Sequence, residues 1–193
     1  MNPSPALKDR IASGIIATAA TVLAERGETA SMAEIAEAAG VGRATLYRYF
    51  PNREALLAGL VQAAFDDLSA RIADADLASV PVREGVARVA RAFVTAGGTY
   101  TAVVNLRHSR GGPGMPPLPE TDRRLAEPVR ALLRRGAADG TLRGDMPAEV
   151  LFEMFTALLE RAISQAAVQG WGAEHASAVV TALFLDGADA PSE

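Results

Sequence analysis

The sequence predicts an all-α protein, and three observations carry that reading. Apolar residues recur at spacings of three and four, as in Leu7, Ile11, Ile15, Ile16, Ala19 and Leu23, which is the period of one helical face. Helix formers such as Ala, Leu, Arg and Glu dominate the 193 residues. Strand-like alternation bounded by turns is absent. Short helices are expected at the N-terminus and longer ones beyond them.

Each element has a start or stop signal. Gly27 ends the first helix, at the place where a left-handed residue is needed after Glu25-Arg26. Ser31-Met32-Ala33-Glu34 is a capping box, in which Ser31 accepts the N3 amide and Glu34 reaches back, and Gly40 stops the short helix it opens. A second short helix begins near Gly42-Arg43 and stops at Phe50-Pro51, because proline disfavours helical geometry in the residue before it. Asn52 caps a longer helix that starts at Arg53-Glu54 and runs toward Asp76. Beyond Ser79-Val80-Pro81 the pattern predicts helices over about 82–96, 99–108, 120–139, 147–169 and 173–186. Between the second and third of these, Ser109 to Glu120 holds Gly111, Gly112, Pro113, Gly114, Pro116, Pro117 and Pro119, a composition that forms a long loop. It reads as a surface linker or as a flap over a cavity. Gly140, Gly144 and Pro147 punctuate the next connection, and Gly170-Trp171-Gly172 makes a tight turn before the last helix.

Composition excludes several classes. Without cysteine there is no disulfide framework, thiolate zinc site, iron–sulfur cluster or thiol redox switch. Hydrophobic residues at 49% and charged residues at 22% are globular values. The charge-free stretches Ile11–Ala24 and Ala92–Leu106 fall short of the ~18 apolar residues that a membrane span needs, and Met1 to Pro5 lacks a signal peptide's basic start. A cytoplasmic protein without membrane association is expected. His108 and His175 have no partners at metal-ligand or catalytic spacing, no Gly-x-Ser-x-Gly occurs, and Gly40-Val41-Gly42 lacks the preceding strand and third glycine of a dinucleotide loop. No enzyme, metal or cofactor is therefore expected.

The informative chemistry lies in residues 31 to 53. Two short helices joined by Ala39-Gly40-Val41 have the spacing of a helix-turn-helix, whose second helix enters the DNA major groove. On that helix Leu46 and Phe50 lie within ~40° of each other and define its buried face. The opposite face carries Ala44, Thr45 and Arg48, with Arg43 and Tyr47 on one flank and Tyr49 on the other. Arginine can bond guanine through two hydrogen bonds, threonine and alanine can meet a thymine methyl, and tyrosine hydroxyls can reach phosphates. The whole chain has a net charge of −4, yet Val41 to Arg53 holds three arginines and no acid. Through residue 60 there are six basic and six acidic side chains, so the negative excess of 17 over 13 falls entirely in the remainder. A near-neutral head is thus followed by an acidic body.

The run from Ile35 to Leu56, IAEAAGVGRATLYRYFPNREAL, resembles the DNA-binding signature of TetR-like transcriptional regulators. Ala138-Asp139-Gly140-Thr141-Leu142-Arg143 and Leu183-Phe184-Leu185-Asp186-Gly187 are similar to that family's segments near its dimer helices. Two departures stand out: the loop Gly27–Ser31 is one residue shorter and lacks an aromatic, and Arg53 stands where lysine is commoner. The resemblance implies a DNA-binding head over residues 1–52, with its motif at about 31–50, and a regulatory ligand-binding and dimerisation domain over 53–193. By the same resemblance Tyr49 and Arg53 would grip phosphates, Ser31 would touch one through its hydroxyl, and Arg43, Thr45, Tyr47 and Arg48 would face the groove together with Ala44.

A lone helix-turn-helix reads few base pairs, so such proteins dimerise and present two helices one DNA turn, ~34 Å, apart. Leu151, Met154, Phe155, Leu158, Leu159, Ala162, Ile163 and Ala166 form an apolar stripe wider than one core face requires. The last helix adds Ala176, Val179, Val180, Leu183 and Phe184. These two helices are similar to the pair that forms the family's intersubunit bundle, with Leu151, Phe155, Leu158, Ala162, Val180 and Phe184 at the interface; a monomer's core hairpin is the alternative. The resemblance further implies a cavity for a small-molecule effector, for which Phe65, Phe93, Tyr100, Val104, His108, Phe152 and Phe155 are the candidates. The expected function is a repressor that binds a palindromic operator as a dimer and is released by a small molecule. An activator, or a ligand-binding protein with a non-functional head, are the alternatives.

Overall fold

The computed structural model describes residues 5–97 and 122–188. Within them lie α1 (Pro5–Arg26), α2 (Met32–Ala38), α3 (Arg43–Tyr49), α4 (Arg53–Asp74), α5 (Val82–Thr95), α6 (Glu127–Ala138), α7 (Ala148–Gln169) and α8 (Ala173–Ala188). A 3₁₀ turn, Gly27–Thr29, follows α1, and a π-type turn, Asp122–Ala126, leads into α6. There is no strand among the described residues, as an all-α chain requires. The helix expected over 99–108 and the Gly/Pro-rich segment Ser109–Glu120 lie outside the described residues.

The described residues form two compact units, a head through Asp66 and a body comprising residues 67–97 and 122–188. The division falls inside α4, later than the boundary at residue 52 expected from the resemblance. The reason is packing: Leu56, Leu57 and Leu60, from the first turns of α4, belong to the head's core. They join Ile15, Ile16, Ala19, Ala20 and Leu23 of α1, Ile35 and Ala36 of α2, and Leu46 of α3. Each fully buried Leu or Ile is worth about 1.5–3 kcal/mol relative to exposure. Gly40 adopts φ +64° and Gly27 φ +62°, so both stop signals are left-handed glycines, as their positions after helices demand. Asn52 caps α4 by accepting the Ala55 N–H at 2.7 Å.

In the body, α5 buries Val82, Val86, Val89 and Ala90, and α6 buries Val129, Leu132 and Leu133. Leu151, Phe155, Leu159 and Ile163 of α7 and Ala176, Val180, Phe184 and Leu185 of α8 complete this core. Two glycines mark close approaches: a Cβ at Gly85 would lie 2.7 Å from Leu132, and one at Gly136 would lie 2.8 Å from both Leu142 and Val82 side-chain atoms. The turn after α4 is held by arginines. Arg88 donates to the Ala75 carbonyl at 2.8 Å, and Arg135 donates to Ala78 at 2.7 Å and to Val80. Arg143 donates its backbone N–H to Ala188 at 2.7 Å and pairs with Asp145, fastening the α6–α7 connection to the end of α8.

Candidate nucleic-acid interface

The motif is built from its caps inward. The Ser31 hydroxyl accepts the Glu34 N–H at 3.2 Å, while the Glu34 carboxylate accepts the Ser31 N–H and hydroxyl, each at 2.8 Å. Arg26 adds an ion pair to the other carboxylate oxygen at 2.8 Å. The Ser31 backbone N–H, then the Ser31 hydroxyl, and then the Arg26 charge hold the Glu34 carboxyl below its ordinary value. After α2 the Val41 N–H bonds to the Ala36 carbonyl at 3.0 Å, and Gly42 opens α3 by accepting the N–H groups of Thr45 and Leu46. Between these ends the chain turns sharply at Gly40, and α3 emerges with one side fixed.

That side is Leu46, fully buried, with the half-buried Phe50 just beyond the helix end. Outward stand Arg43, Ala44, Arg48 and Tyr47, the last 47% exposed, with Thr45 half-buried beside them. An exposed cationic helix of seven residues, with no acid from Val41 to Arg53, suits the width and potential of a major groove.

Two residues that the resemblance sends to phosphates make contacts within the head. Tyr49 is half-buried against the head core, and its hydroxyl is shut off from solvent without a hydrogen-bond partner among the described residues. Three residues after Leu46, it lies within ~60° of the buried face, which explains the inward turn. Its ring lies under the Arg48 guanidinium, 5.3 Å from centroid to carbon. Arg53 donates to the Ala30 carbonyl across 23 residues, tying the start of α4 to the turn before α2. The Ser31 hydroxyl is engaged by Glu34 in both directions. Arg26, eight residues from its partner, is a member of this network that spacing alone does not reveal.

Burial redistributes the residues expected at a dimer interface. Leu151, Phe155, Ala162, Val180 and Phe184 are buried within the single chain, and Phe155 packs on Phe184 with ring centroids 4.5 Å apart. They face inward because the α7–α8 hairpin supplies the body's own core. Leu158 is half-buried, while Met154 is 53% and Leu183 60% exposed on the same two helices. Of the cavity candidates, Tyr100, Val104 and His108 lie outside the described residues. Phe65 is half-buried on α4 and Phe93 is buried on α5. Phe152 lies under the Arg130 guanidinium at 4.5 Å, and Phe155 is core. Among the described residues no cluster of three or more His, Asp or Glu could hold a metal, and no helix is long and apolar enough to cross a membrane.

An all-α chain carrying this turn and this exposed helix is a helix-turn-helix protein. Residues 15–60 match the family model for bacterial regulatory proteins of the tetR family. The matched segment holds the whole helix-turn-helix, so residues 15–60 are similar to the DNA-binding domain of that family. It is 42% identical over 82 residues to the HTH-type transcriptional repressor LfrR of Mycolicibacterium smegmatis (strain ATCC 700084 / mc(2)155), a match covering 42% of this chain and 43% of that protein. The chain thus spans less than half the length of that relative. Similarity to the HTH-type transcriptional repressor KstR2 of Rhodococcus jostii (strain RHA1) is 26% over 162 residues, 79% of each chain. The fold is similar to the solved structure of LfrR from Mycobacterium smegmatis in complex with proflavine, with a TM-score of 0.71, 28% identity, and coverage of 92% of this chain and 96% of that one.

Proposed function

We propose that this protein is a transcriptional repressor that binds a palindromic operator as a homodimer in the cytoplasm and is released by a small-molecule effector. The observation that carries the reading is the exposed face of α3: Arg43, Ala44, Tyr47 and Arg48 outward, Leu46 inward, and no acid in the segment. The names of the relatives support repression, and the proflavine complex of LfrR supports an effector. Dimerisation is assigned to Met154, Leu158 and Leu183, which with Val150 are apolar side chains that the body's core leaves exposed or half-buried on α7 and α8. An effector acts through its differential affinity for two conformers, one with the recognition helices spaced for adjacent turns of DNA and one without.

The test is titration of the protein against DNA from upstream of its own gene, followed by fluorescence anisotropy at rising salt. Tight binding to that duplex, exceeding binding to a scrambled one and weakening steeply with salt, is the expected result. Equal binding to both duplexes overturns the reading.

A further inference from the structure

We infer that Tyr49 acts on DNA through its ring, by holding Arg48 in a reading pose, and not through its hydroxyl. The inference rests on the DNA-binding reading above and concerns how its recognition helix works. Two independent features of one side chain lead here. The hydroxyl is buried and has no hydrogen-bond partner among the described residues, so in this conformation it offers nothing to a phosphate. The ring, packed against the head core, carries the Arg48 guanidinium 5.3 Å above its centroid.

The arrangement has a chemical consequence. A guanidinium stacked on an aromatic face keeps its N–H donors in its own plane, so the fork that reads guanine O6 and N7 stays available. Arg48 is otherwise a long, exposed side chain at the end of a short helix, with much rotamer freedom to lose on meeting a base. A ring anchored in the core and touching Arg48 reduces that freedom before DNA arrives. Tyr49 is therefore a positioning residue, and Arg48 is the group that meets the base.

The experiment uses the full-length protein and a duplex that the wild type selects from a randomised library. Tyr49→Phe removes the hydroxyl and keeps the ring; its affinity is expected within about twofold of wild type, with thermal stability unchanged or raised, because an unpaired buried hydroxyl is gone. Tyr49→Leu removes the ring and keeps apolar bulk; it is expected to weaken binding about two- to fivefold, the scale of an exposed cation–π contact. That loss should fall on the base pair whose preference Arg48→Ala relaxes, and it should vanish when Tyr49→Leu is made on the Arg48→Ala background. A tenfold loss in Tyr49→Phe overturns the inference, since the hydroxyl would then be the contact. An equal loss from Tyr49→Leu on both backgrounds also overturns it. Thermal melts check that each variant folds, and Tyr49→Met, an unbranched gap filler, replaces Leu if Leu is not tolerated. Failure of the wild type to select any duplex would instead sink the DNA-binding reading itself.

Discussion

The head and the body use the same amino-acid types for different ends. In the head, short helices leave little room for ambiguity: α3 has seven residues, one fully buried side chain and an outward face of charged and aromatic groups. In the body, α7 runs for 22 residues with apolar groups around much of its circumference, and the same stripe must supply a core and an exposed apolar face. The difference teaches that polarity locates a surface on a short amphipathic helix, whereas on a wide apolar helix only packing does. Substitutions can sharpen this contrast.

The largest effect is expected from Phe155→Ala, which removes a fully buried ring from the body and should cost about 3–5 kcal/mol in denaturant unfolding. Leu46→Ala, at the head's equivalent position, should cost about 2–5 kcal/mol and abolish DNA binding while leaving the sedimentation coefficient unchanged. Leu183→Asp should do the reverse, yielding a monomer whose helical content survives; an unchanged sedimentation coefficient would place the interface elsewhere. Arg48→Ala should cost ~1–3 kcal/mol at one base pair per half-site, and a uniform loss on all sequences would recast it as a phosphate contact. Ser31→Ala should cost about 1 kcal/mol by removing a helix cap, measured as a lower midpoint of thermal unfolding.

A smaller contrast is set by pH. The Glu34 carboxyl titrates below its unfolded value, so the stability it supplies is complete above that value and is lost as pH falls through its depressed folded value. Glu34→Gln keeps an acceptor for the Ser31 N–H and removes the charge. Acid titration of thermal unfolding should therefore show a flatter dependence in the variant across the carboxylate range, and identical curves would assign the acid sensitivity to other groups.

Much of the fold was legible because its signals are local. The Ser31 box, the left-handed Gly27 and Gly40, and the Asn52 cap each act within four residues, so spacing along the chain suffices to find them. The outward set Arg43, Ala44 and Arg48 was legible for the same reason, as the period of one short helix sorts it. The burial of the Tyr49 ring is harder to read, although its angular position lies next to Leu46, because a tyrosine's polar tip invites a solvent role while its ring favours burial. The bond from Arg53 to the Ala30 carbonyl is not legible in spacing, because the two lie 23 residues apart.

By itself the sequence determined the helical class, the place and polarity of the recognition helix, and the concentration of positive charge there within an acidic chain. These follow from periodicity, capping and composition, which are properties of neighbours. Tertiary structure alone decided that the head's core extends into α4, that Phe155 and Phe184 are spent inside the body while Met154 and Leu183 remain outside, and that the Tyr49 hydroxyl is buried. The physical reason is that apolar burial has no direction of its own. Which side of an apolar helix faces inward is settled by what packs against it, and that partner lies far away in the chain.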